Sequence, residues 1–115
     1  MPDLYMGPNC FRFEQIVIDR LIKPGYPGNY ALGIKDEKGE FVPKLIGRSD
    51  TDLRSQLMGK LGTTRYPYFK FSHGSPRSAH EMECAQFHSF RGHLDNKTHP
   101  VPPAGTDYKC FLCGQ

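Results

Sequence analysis

Two apolar-rich runs, NYALGIK and FVPKLIG, stand on either side of an Asp36-Glu37-Lys38-Gly39 turn, and no other feature constrains the chain as tightly. A short polar turn containing a glycine free to adopt positive φ joins neighbouring antiparallel strands, so a β-hairpin is expected here. Pro43 has no N–H for a ladder, which places its strand at a sheet edge or puts a bulge at that point.

Helical signals follow the hairpin. Ser49 with Asp52 has the form of a capping box, and Leu53, Leu57, Met58 and Leu61 recur at helical spacing, predicting a helix from about Asp50 to Leu61. RYPYFKFS alternates aromatic residues with others and predicts a strand over about Tyr66 to Phe71. Ser75-Pro76 supplies an N-cap and a proline at the first helical position, and Ala79, Met82, Phe87 and Phe90 predict about four helical turns ending near Phe90.

Upstream, residues 1–10 read as an irregular lead-in and PGYPG (24–28) as a breaker. FRFEQIVIDRLI alternates at Phe11 and Phe13 but carries an apolar run over Ile16–Ile18; period alone does not separate helix from strand, and a short strand is expected. The tail from Arg91 holds Pro100, Pro102 and Pro103 and too few apolar residues for a core of its own.

With 115 residues, 37% of them apolar, the chain suffices for one domain and is too short for two. No run approaches the roughly 20 apolar residues that span a bilayer, and the start lacks the basic-then-apolar order of a signal peptide, so a cytoplasmic protein without membrane association is expected. Fifteen Lys and Arg against twelve Asp and Glu give a net charge of +3, compatible with a nucleic-acid partner and not diagnostic of one.

The ordered motifs resemble the GIY-YIG nuclease superfamily over about residues 27–96: Tyr30 in P-G-N-Y, Gly47-Arg48 after L-I, the helix D-L-R-S-Q-L, Ala79-x-x-x-Glu83 and a following Asn96. That resemblance implies a small α/β domain, an antiparallel sheet of about three strands flanked by helices. It also implies an endonuclease-like, Mg- or Mn-dependent hydrolysis of DNA or RNA phosphodiesters. In it Tyr30 would hydrogen-bond or deprotonate the attacking water, Arg48 neutralise phosphate charge, Glu83 bind the divalent cation and Asn96 steady the site. Leu45 stands where the family has its second tyrosine and Gln56 where it has a helix arginine. Loss of a transition-state arginine costs several kcal/mol, so the alternative is a catalytically inactive module that binds nucleic acid or a protein partner.

Four cysteines in a chain expected in a reducing compartment read as metal ligands or free thiols. Cys84 and His88, four apart on one helix face, combine with Cys110-x-x-Cys113 into a Cys3His set of the structural zinc type. His99 is the first substitute ligand, then His93, then Cys10. The site would anchor the proline-rich tail, giving an N-terminal segment (1–26), the GIY-YIG-like unit (27–96) and a zinc-anchored extension (97–115) within a single domain.

Overall fold

The computed structural model describes residues 6, 9–90, 92–96 and 98–114. Most of the expected 1–10 lead-in, together with Arg91, at the start of the expected tail, lies outside the described residues. Four strands and three helices follow in the order β1 (Phe11–Arg12), α1 (Gln15–Leu21), β2 (Gly28–Lys35), β3 (Phe41–Ser49), α2 (Leu53–Lys60), β4 (Tyr68–His73) and α3 (Pro76–Ser89). The sheet is antiparallel throughout, ordered β1-β4-β2-β3. The small antiparallel α/β class therefore holds, with one strand more than expected. No described helix is long and apolar enough to cross a membrane.

The hairpin forms as the turn chemistry requires, with Gly39 at φ 81°. Pro43 meets both conditions set by its missing N–H: β3 is the sheet's edge, and its register with β2 shifts between Leu32 and Gly33, opposite Leu45 and Pro43.

Three expected boundaries move. Beyond a two-residue strand, FRFEQIVIDRLI is helix α1, because Ile18 and Ile22, one turn apart, enter the core together while Ile16 stays 60% exposed. Tertiary burial at helical period outweighs the β-propensity of the Ile-Val-Ile run. Helix α2 begins three residues later than expected. Ser49 Oγ accepts from the N–H groups of Thr51 and Asp52, closing a turn, and Asp52 then caps the helix by accepting from Ser55 N–H. Strand β4 starts after Pro67, which has no N–H for the ladder, and ends at His73. Helix α3 has the expected Ser75 cap, accepting from Ser78 N–H, with Pro76 at its first position.

The sheet is covered on both faces. On one, α1 and α2 pack Ile18, Ile22, Leu53 and Leu57 against Tyr30, Leu32 and Phe69. The other, under α3, carries a smaller apolar cluster of Ala31 and Ile46, with Phe41, Phe87, Phe90 and Leu94 around them, and α3 itself buries Ala79 and Cys84.

Candidate functional site

Strand alternation and the β2/β3 register set out the expected active-site residues. Asn29 pairs with Arg48, and Tyr30 with Gly47. The first pair faces α3: Asn29 Nδ2 donates to the Ala79 carbonyl at 2.8 Å, and Arg48 Nη1 donates to Glu83 Oε1. The second faces α2, where Tyr30 hydrogen-bonds Gln56. Gly47 is needed at this crossing, since a Cβ there would lie 2.3 Å from Tyr30 Oη. Tyr30 and Arg48 thus leave the hairpin from opposite faces, joined by the electrostatic reach of Glu83 to both.

Arg48 is fully engaged. Its Nε donates to Asp50 Oδ1 at 2.8 Å, Nη1 to Glu83, and Nη2 to the Val101 carbonyl in the tail, and the side chain is only 7% exposed. Burial works against the guanidinium charge, but Asp50 and Glu83 hold its pKa above the ordinary value. Burial pushes the Glu83 carboxyl up, with Arg48 opposing. The Tyr30 phenol is also raised, by burial first and by Glu83, while Gln56 acts the other way. It is a neutral hydroxyl suited to orienting a group and poorly suited to accepting a proton. A cavity of about 290 Å³ opens beside the pair, lined by Arg48, Asp50, Glu83, Asn96 and His99 among others.

Asn96, which lines this cavity, is itself tied to the sheet. Its Nδ2 donates to the Ile46 carbonyl at 2.8 Å and its Oδ1 accepts from Ile46 N–H at 2.9 Å, completing the free edge of β3. Leu45 packs at the margin of the α1/α2 core. Arg54 is paired with Asp19 on α1.

The second constellation lies where the tail returns to α3. His88, His99, Cys110 and Cys113 each offer one ligand atom, all within 4.8 Å of one another, and can hold a metal ion such as zinc. Cys110 Sγ lies 3.5 Å from His88 Nε2, and Cys113 Sγ 3.4 Å from His99 Nε2. Tetrahedral zinc with ordinary bond lengths separates sulfur and nitrogen ligands by about 3.6 Å. His99 Nδ1 lies 2.8 Å from the Pro100 carbonyl. Donation there leaves Nε2 free for a metal, the usual outer partner of a ligating imidazole. Phe87 packs edge-on against both His88 and His99.

This group departs from the spacing-based set at one position: His99, the first substitute, stands in it and Cys84 does not. Cys84 is buried behind the group, its Sγ 3.5 Å from His80 Nε2 and hydrogen-bonded to Cys110. Burial and that contact push its thiol up to about 12. Burial opposes ionisation of Cys110 too, yet the N–H groups of Leu112 and Cys113, with His99 and Cys84, bring it down to about 6. Backbone N–H groups converging on a thiolate prepare a ligand for a cation. His93 and Cys10 stand outside the group. Asp50 and Val101, the further partners of Arg48, carried no sequence signal; only a tail folding back brings Val101 there.

Comparison of the chain with models of known protein families, with curated proteins and with solved structures returns no match in any of the three.

Proposed function

We propose that this chain is a GIY-YIG-like domain acting on nucleic-acid phosphodiesters, its tail held by zinc on His88, His99, Cys110 and Cys113. The observation that carries the reading is the buried Arg48–Glu83 pair beside a cavity. Burying two charges seldom adds stability, because their desolvation offsets their attraction. Such pairs are at home where a site must handle charge.

In this reading Arg48 neutralises a phosphate oxygen in the cavity, while the water-orienting role expected of Tyr30 falls outside it, since Tyr30 is buried on the opposite face and bonded to Gln56. Glu83 is the carboxylate for Mg or Mn; such ions use one or two carboxylates, with waters and substrate phosphate completing the shell. That cation would polarise the phosphodiester. Asn96 supports the site by fixing the edge of β3. Turnover is slow because Leu45 and Gln56 supply neither the second phenol nor the helix cation.

The engagement of Arg48 by three partners favours a second reading, a catalytically silent module that binds nucleic acid or a protein partner. Nicking of supercoiled plasmid with Mg or Mn, run beside Glu83→Ala, separates the two. Cleavage that disappears in Glu83→Ala and rises in Leu45→Tyr/Gln56→Arg supports the first. Salt-sensitive binding without cleavage supports the second. No binding to single-stranded, duplex or branched substrates at low salt would overturn the assignment to nucleic acid.

A further inference from the structure

We infer that the metal centre is a latch on the Arg48 pocket: metal-bound His99 holds residues 98–101 across the guanidinium, and its release opens the pocket to an anionic oxygen. The inference rests on the nucleic-acid reading for the identity of what the pocket admits. Its mechanical part stands on contacts alone. His99 lines the pocket and belongs to the metal-ligand group. Two residues on, the Val101 carbonyl accepts from Arg48 Nη2. That carbonyl takes the place on the guanidinium that a phosphate oxygen would fill.

The strap is anchored at its two ends, by Asn96 on Ile46 and by the buried Pro103, and between them Thr98 and Val101 are exposed, Val101 at 70%. Between the ligand and the carbonyl stands Pro100, with fixed φ, and the Pro100 carbonyl is the partner of His99 Nδ1. The same imidazole therefore turns Nε2 toward the ligand group and Nδ1 toward the strap backbone. With Nε2 bound to a metal, His99 Nδ1–H would be a stronger donor to the Pro100 carbonyl and would hold the strap more firmly over Arg48. Glu83 and Asp50 stay on the guanidinium when the strap leaves, so opening exposes one donor edge of Arg48 in an already formed pocket.

The test compares the zinc-loaded full chain with His99→Ala and with a variant carrying two glycines inserted between Pro100 and Val101. The insertion keeps every ligand and the Pro100 carbonyl but uncouples Val101 from them, and a surface loop absorbs such a lengthening at small cost. Zinc content, amide exchange over residues 98–103 and anisotropy of a short fluorescein-labelled single-stranded DNA at low salt are measured on each. His99→Ala should lower zinc affinity at least about tenfold, whereas the insertion should leave it unchanged. Both should speed strap exchange and bind the DNA about tenfold more tightly than the parent, with a steeper salt dependence. A zinc-loaded insertion variant with parental exchange and parental DNA affinity would overturn the latch, and it carries the test alone if His99→Ala does not fold. Faster exchange in that variant without DNA binding by any of the proteins would support the latch and overturn the nucleic-acid reading instead.

Discussion

The two faces of the sheet are closed by different chemistry. Under α1 and α2 the closure is hydrocarbon, with Ile18, Leu32, Leu53, Leu57 and Phe69 all fully buried. Under α3 the buried apolar residues Ala31, Ile46 and Ala79 are joined by Asn29, His80, Glu83 and Cys84, all buried. Hydrocarbon burial tolerates many arrangements of similar volume, whereas buried polar groups must each meet a partner at bonding distance. One face therefore gives the domain its stability, and the other depends on a tail that must return to an exact place.

The largest expected effect tests the hydrocarbon face. Phe69→Ala should cost about 3–5 kcal/mol, read by denaturant unfolding, because the Phe69 ring packs against those of Phe11, Phe13 and Phe71 and its loss leaves a large void. A loss as small as that of an exposed residue would remove the asymmetry. Next, chelation of zinc should lower Tm by about 8 °C, roughly 1–2 kcal/mol for a domain of this size. Amide exchange should then quicken over residues 98–114 while Leu32 and Phe69 stay protected. Global unfolding on chelation would show that the faces are not separable.

The sequence announced these faces unequally. Hairpin, α3 cap and Cys110-x-x-Cys113 were legible because each is decided within a few residues. Pairing Cys84 with His88 followed the same local logic, yet the structure brings His99 to the group, eleven residues beyond His88 along the chain. Spacing along a helix shows which side chains share a face; it carries no information on where an irregular tail comes back. Misreading of α1 has another cause. Ile16-Val17-Ile18 suits a strand locally, and only the burial of Ile18 with Ile22 decides for a helix.

Two smaller effects sharpen the comparison at the boundary between the faces. Asn96→Ala removes both bonds to Ile46 and should cost about 1 kcal/mol, measured by thermal unfolding, since it leaves a part-buried donor and acceptor of the β3 backbone without their partner. A cost near that of Phe69→Ala would place the edge among the main supports of the fold. Smallest is the alkaline titration of Tyr66, whose phenol donates to Asp95. Burial and that carboxylate push it up to about 12. Its folded pKa lies above the ordinary value, so its contribution is fully present below pH 10 and is lost as pH rises through about 12. Ultraviolet titration should show a late-ionising phenol that Tyr66→Phe deletes.

The pairing of Asn96 with Ile46 also bears on how this protein keeps to itself in a crowded solution. An open sheet edge is a template on which a second chain can lay a strand, the first step toward fibres. Here a primary amide offers one donor and one acceptor at the spacing of a peptide group, so that a single side chain stands in for a missing neighbour. Together with the register shift beside Pro43, it leaves β3 without an unbroken run of free backbone groups, and the sheet has an end.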